Sequence, residues 1–293
     1  MIRFLIILLS ISANLISVSW DMLLEQHRAS LDDTTYNIIN QQYLAYTHGQ
    51  APTIAQPCIK EIPIKESGQE LIDLGTANHA RIKIMADEEL PLAHEYLEDI
   101  DPRSNNFAKM RKSVYNALTL MIPELDRLAP EFGYEPGDLE IRLFEGLRDI
   151  ETQKQLFETK KAQFLQENPS ISEQEAYEET SKWVSPYINN VPVHSTGAAI
   201  DIHFWSRKNN CFCDMGRFNK GGALAPTFTQ DPLLTLDQAN NRLLLLCAAT
   251  AAGLINYVYE FWHFSVGDRY AAYWLEPNPT KRVACYHSIN KIS

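Results

Sequence analysis

Two short segments carry residue types that could assemble a hydrolytic metal centre. The first is Pro192-Val193-His194-Ser195-Thr196-Gly197-Ala198-Ala199-Ile200-Asp201, in which six residues separate a histidine from an aspartate. The second is Glu260-Phe261-Trp262-His263-Phe264, where an acid precedes a histidine by three positions. Two neutral imidazoles and one carboxylate suit zinc and leave a fourth position open for water. Hydrolysis also needs a separate carboxylate, which takes the proton of the attacking water and later hands it to the leaving amine. His194, Asp201 and His263 could supply the ligands, and Glu260 the base. Neither spacing is specific by itself, because eight histidines in 293 residues generate such pairs by chance.

The elements must then bring the two segments together. Residues 198–204 read as a strand that carries Asp201. His203 shares that strand face with Asp201 and could serve as an alternative ligand or an outer partner, but the three-ligand set is complete without it. Residues 257–265 are aromatic-rich and read as extended. On a regular strand, residues three apart face opposite sides. Glu260 and His263 can therefore reach one metal only across a bend, a bulge or a helical turn, and such a distortion is expected. Upstream, apolar residues at spacings of three and four predict a helix over 106–128, stopped by Pro130. Alternation predicts a strand over 138–145. A helix follows over 150–167, and a second, with Ser172 and Glu175 as its capping box, runs to residue 184. Residues 205–236 read as a long exposed excursion. Asp237 caps a helix that ends at residue 252, before Gly253. Residues 61–64 read as a short strand, and residues 21–70 as an arm with one helix. The whole predicts an α+β fold: a single domain with an antiparallel sheet flanked by helices and the zinc site at the sheet.

Together the segments resemble the D-alanyl-D-alanine dipeptidase family, the vancomycin-resistance-type zinc dipeptidases within the zinc D,D-peptidase superfamily. The first segment is similar to the family's S-x-H-x-x-G-x-A-x-D and the second to its E-W-W-H-F. Phe144-Glu145-Gly146-Leu147-Arg148-Asp149 resembles the family's D/E-G-Y-R-P. Trp262-His263-Phe264-Ser265-Val266-Gly267-Asp268 is similar to W-H-F-S-x-G-D, and Asp214-Met215-Gly216 to a further family element. The likeness spans roughly residues 110–275 in the family's order. It implies one Zn2+ per chain on His194, Asp201 and His263, with Glu260 as general base and acid acting on a metal-held water. It also implies that Arg148 donates to the developing oxyanion, and that Asp214 binds the substrate ammonium. Pro192 replaces the family's serine, Leu147 and Asp149 replace the Tyr and Pro beside the arginine, and Phe261 replaces the first Trp. These departures leave ligands and base in place and bear on substrate choice. Arg148 has a plainer role open to it, an ion pair with Glu145 or Asp149.

The resemblance implies hydrolysis of D-alanyl-D-alanine or related D-amino-acid dipeptides. One alternative is a D,D-carboxypeptidase or peptidoglycan endopeptidase acting on longer cell-wall peptides. The other is a non-catalytic zinc-containing module that binds cell wall. A formal net charge of −11 disfavours nucleic acid and anionic membrane as partners. The start of the chain has the layout of a secretory signal peptide over residues 1–19: a basic Met1-Ile2-Arg3, an apolar run over 4–16, then Ser17-Val18-Ser19 before Trp20. Export to the periplasm or medium is the expectation, with an N-terminal anchor in the inner membrane as the alternative and no other integral membrane segment. Residues 20–105 are then an N-terminal arm and the start of the domain, and 106–293 the catalytic region. In an oxidising compartment the five cysteines allow one or two disulfides. Cys247, inside an apolar run, reads as core.

Overall fold

The computed structural model describes residues 19–86, 89, 104–181, 183–216 and 228–289. The chain builds helices α1 (Trp20–Gln26), α2 (Asp33–Thr47) and α3 (Pro57–Lys60), then β1 (Leu71–Asp73), α4 (Leu74–Ala77) and β2 (Ile82–Ile84). Next come β3 (Lys109–Arg111), α5 (Lys112–Leu128), β4 (Leu139–Glu145), α6 (Ile150–Glu167) and α7 (Glu173–Thr180). The remaining elements are β5 (Ala199–Ser206), β6 (Cys211–Phe212), α8 (Leu236–Ala251), β7 (Ile255–Asn256), β8 (His263–Ser265) and α9 (Arg269–Leu275).

The main sheet runs β2-β4-β5-β8-β7, with β6 beside the far end of β5. It is an α+β sheet with helices packed on it, as expected, but it is not wholly antiparallel. β2 lies parallel to β4, because the chain leaves β2 and returns through α5 before β4. Strand alternation decides what each face does. Leu139, Ile141 and Leu143 of β4 and Ile200, Ile202 and Phe204 of β5 are buried in the main core with α5 and α8. The opposite face of β5 is left to Asp201, His203 and Trp205. α8 is the central helix: Leu243 to Leu246 and Cys247 to Ala249 are all buried. Such a helix is apolar nearly all round.

Several boundaries differ from expectation for identifiable reasons. The helix expected from residue 106 starts at Lys112, because Lys109–Arg111 pairs with β1 instead. Past Leu128, a 3-10 turn over Ala129–Phe132 carries the chain through Pro130. α7 ends at Thr180 rather than residue 184, while its Ser172–Glu175 capping box is present. The cap of α8 is Thr235, in a capping box with Gln238, and not Asp237. Gly253 does end that helix region, at φ +87°. The excursion after residue 204 is not uniformly exposed: β5 runs to Ser206, and Cys213, Met215 and residues 229–231 are buried. Residues 61–64 form no strand; Ile64 makes a single bridge to Ala284. The arm holds several helices rather than one, and Trp20, Leu23, Leu24, Leu31 and Ile39 belong to the main core.

All five cysteines are free, and Cys247 is core as read. Of the proposed signal segment only Ser19 is described. Among the described residues no helix is long and apolar enough to cross a membrane.

Candidate active site

Three neighbouring strands lay one row of polar residues across the sheet. Asp201 of β5 is opposite His263 of β8 on one side and Glu145 of β4 on the other. The pairing of β4 slips between Leu143 and Glu145, so one extra residue is accommodated there. That bulge turns Glu145 away from the core alternation and into the row. His194 enters from the 3-10 turn His194–Thr196 just before β5. Gly197 closes this turn at φ +72°, a conformation that strains other residues. From β3, Arg111 holds the same turn, donating its backbone N–H to Gly197 O (2.7 Å) and its Nε–H to Thr196 O (2.8 Å).

The donor atoms converge closely. His194 Nε2 lies 3.0 Å from His263 Nδ1, His263 Nδ1 3.0 Å from Asp201 Oδ1, and His194 Nε2 3.3 Å from Asp201 Oδ1. All three residues are buried, with 6% exposure or less. Tetrahedral zinc with bonds of roughly 2.0 Å needs donors about 3.3 Å apart, which matches this triangle. The set also makes poor sense without a cation. His263 Nδ1 faces His194 Nε2, Asp201 Oδ1 and, at 3.5 Å, Glu260 Oε2, and one ring nitrogen carries at most one proton. The His194 tautomer is fixed from behind. Its Nδ1 lies 2.9 Å from Gly146 O, and a carbonyl only accepts, so Nδ1 carries the proton and Nε2 presents its lone pair. The group of His194, Asp201 and His263 can thus hold a metal ion.

Glu260 reaches this centre through the distortion that the spacing demands. His263 N–H donates to Glu260 O (3.1 Å) and Glu260 N–H to Tyr257 O (2.8 Å), so residues 257–262 form successive tight turns and not a strand. Burial pushes the Glu260 carboxyl up to about 7, aided by Asp201 and Glu145 and opposed by His263 and Arg148, although a quarter of its side chain stays exposed. Burial works against the Asp201 carboxylate, yet the two imidazoles beside it hold its pKa below the ordinary range. Burial likewise opposes the charged form of His194, and Asp201 outweighs it and raises the pKa.

Arg148 sits at the edge of the site. Its Nε–H donates to Glu145 Oε1 (2.9 Å), its Nη2 to Glu145 Oε2, and its Nη1 to Gln153 Oε1 (2.9 Å). The ion pair with Glu145 is therefore real. It uses only part of a five-donor guanidinium and leaves one N–H on each terminal nitrogen. Burial disfavours the charge on Arg148, but Glu145 outweighs it, with Asp201 and Glu260 adding to the effect, so the arginine stays cationic. Asp214 is exposed, in the turn after β6. Its carboxylate accepts from Gly216 N–H (2.9 Å) and from the Gln238 amide (3.1 Å) and stands outside the three-donor group. His203 also stands outside it. Burial lowers its pKa to about 4, and its ring meets Phe212 and Phe261 edge-on. Glu145, Gln153 and Gly146 are the supporting residues that spacing alone could not assign. Gly146 left a trace in the motif, but its reason is visible only in three dimensions: a Cβ there would stand 2.5 Å from Lys109 O.

With this geometry in hand, the chain can be set beside known proteins. Residues 142–281, just under half of the chain, match the family model described as D-ala-D-ala dipeptidase. Over that stretch the chain is similar to the D-ala-D-ala dipeptidase family. The matched stretch runs from within β4 to beyond α9 and holds every donor described above. Two solved structures can be compared. The vancomycin-resistance D,D-pentapeptidase VanY from a VanB-type cassette, in complex with Zn(II), is 14% identical, with 61% of this chain and 84% of that chain covered and a TM-score of 0.32. The LdcB LD-carboxypeptidase is 18% identical, with 59% and 65% covered and a TM-score of 0.31. Neither likeness bears on substrate. A sequence comparison with curated proteins gives no match.

Proposed function

We propose that this chain is a zinc D,D-peptidase that hydrolyses D-alanyl-D-alanine or related D-amino-acid dipeptides, with one zinc ion held by His194, Asp201 and His263. The observation that carries the reading is the buried donor triangle with Glu260 Oε2 3.5 Å from one of its corners. Zinc in that triangle supplies Lewis acidity toward the scissile carbonyl and toward water. Glu260 then takes a proton from the attacking water and returns it to the leaving amine. A carboxylate lifted toward neutrality suits both halves of that exchange. The two remaining N–H groups of Arg148 face the growing negative charge on the carbonyl oxygen, and Glu145 and Gln153 prevent the guanidinium from swinging away. Asp214 takes the substrate ammonium.

One observation favours a second reading, action on longer cell-wall peptides. Asp214 is exposed and already engaged by Gln238 and Gly216, so an ammonium anchor that would restrict the enzyme to dipeptides is weakly built. A binding-only module is disfavoured, because the base and the arginine both stand beside the donors. The test is hydrolysis of D-Ala-D-Ala and of a muropeptide by purified, zinc-loaded protein, with metal content measured. Cleavage of the dipeptide alone supports the main reading. Cleavage of the muropeptide alone moves the assignment to a carboxypeptidase or endopeptidase, and cleavage of neither leaves the binding module.

A further inference from the structure

The turns that carry Glu260 are held by a side chain that lies before them. Asn256 ends β7 and is 1% exposed. Its Nδ2 donates one hydrogen to Glu260 O (3.1 Å) and the other to His263 O (3.0 Å). Its Oδ1 accepts from the Thr229 hydroxyl (2.6 Å). That last bond orients the amide: a hydroxyl donating to Oδ1 leaves the NH2 end to face the turns. The Asn256 backbone carbonyl in turn accepts from Gln42 Nε2 of α2 (2.9 Å), itself 1% exposed. Tyr259, inside the turns, donates its hydroxyl to Ala51 O (2.7 Å). Base and metal donor therefore sit three residues apart, and one buried amide clamps the carbonyls of both.

We infer that Asn256 is a positioning residue for Glu260 and His263, locked in orientation by Thr229 and by Gln42 of the N-terminal arm. This rests on the roles proposed above for Glu260 and His263. Glu260 O also accepts from His263 N–H (3.1 Å), and His263 O from Tyr257 N–H (3.0 Å), so the loop closes without the amide. What the amide adds is a fixed tilt of both carbonyls, and with it the direction of both side chains. Proton transfer requires the base within hydrogen-bond reach, and a displacement of about 1 Å can cost on the order of 100-fold in rate.

The same bonds make the inference testable without loss of the fold, since Asn256→Ala leaves the backbone bonds of the loop intact. The full chain carrying Asn256→Ala, Asn256→Asp or Gln42→Ala is compared with the parent by three measurements: zinc affinity against a chelator, hydrogen exchange of amides 257–263, and kcat and KM per zinc-loaded molecule. Asn256→Ala is expected to speed exchange in that segment, to weaken zinc binding, and to lower kcat by roughly 100-fold with KM within about threefold. Asn256→Asp, which faces two carbonyls with acceptors, should be worse, and Gln42→Ala milder in the same direction. A merely structural role would reduce the folded fraction and leave kcat per zinc-loaded molecule unchanged. A folded Asn256→Ala protein with parental exchange, zinc affinity and kcat overturns the inference. If the parent cleaves neither dipeptide nor muropeptide, the dipeptidase reading fails by itself, and exchange and zinc affinity still decide whether Asn256 positions the loop.

Discussion

At the scale of single residues, the proton transfer proposed for Glu260 can be separated from metal binding. Glu260→Gln keeps the shape and removes the proposed base. The expected result is a loss of at least about 1,000-fold in kcat with full zinc retained, in the range that acid-base groups contribute. Retained turnover in that variant would assign the proton transfer elsewhere. The raised pKa of Glu260 also has a consequence for the metal-free protein. Its folded value is about 7 against an ordinary 4.5, so between those values the folded state holds a proton that the unfolded state releases. Stability from this group is therefore full below about pH 4.5 and lost as pH climbs through 7. His194, also raised, acts in the same direction. Asp201 has a lowered pKa and acts oppositely, but only in acid below its ordinary value. With partial exposure of Glu260 allowed for, the loss is about 1–3 kcal/mol. Chelated protein should melt at lower temperature at pH 8 than at pH 5, and Glu260→Gln should flatten that slope. Equal slopes in the two proteins would show that Glu260 is not the group responsible.

At the scale of elements, the site is a row across β4, β5 and β8 whose ends are pinned by turns. The loop after β4 matters most, because Gly146 both orients His194 and leads to Arg148. Its N–H donates to Phe107 O (2.7 Å), and any Cβ would meet backbone oxygen of residues 107 and 109. Gly146→Ala must push the loop off β3. Overpacking of this kind costs about 1–3 kcal/mol. Activity should fall far more than stability, since the Gly146 carbonyl and Arg148 both move. An active, tightly zinc-binding Gly146→Ala protein would contradict the arrangement. Much of this row was legible beforehand. The convergence of His194, Asp201 and His263 and the need for a distortion at 260–263 followed from residue type and spacing, and most of α5 and β4 from plain periodicity. Glu145 was not, because a bulge placed it and a bulge leaves no clear mark in alternation. Asn256 was not either, since a side chain that binds carbonyls four and seven residues on has no periodic signature. α2 was hidden for a different reason. Its buried positions 35, 39 and 42 are helically spaced, but two of them are Thr35 and Gln42, so no apolar stripe shows.

At the scale of the whole molecule, the segment that matches the family model does not contain all of the site's supports. Residues 142–281 contain the donors, but their supports come from elsewhere. Arg111 holds the His194 turn, Gln42 braces Asn256, and β2 and the first part of β4 complete one edge of the sheet. The main core is shared in the same way: α5 contributes Val114, Leu118, Met121 and Leu125, each fully buried, and α1 contributes Trp20. Removing an aromatic core side chain costs about 3–5 kcal/mol, against a total stability of roughly 5–15 kcal/mol for a domain. Trp20→Ala should therefore lower the melting temperature strongly while kcat per folded, zinc-loaded molecule stays near parental, because Trp20 belongs to the apolar core and not to the donor group. A fragment restricted to residues 142–281 goes further and strips one whole wall from α8, whose residues 243–249 are all buried in the intact chain. It is expected to show no cooperative unfolding transition and no stoichiometric zinc binding, as followed by circular dichroism and metal analysis. A fragment that folds cooperatively and holds one zinc would mean that residues 20–141 are an accessory layer and that the donor triangle is self-supporting.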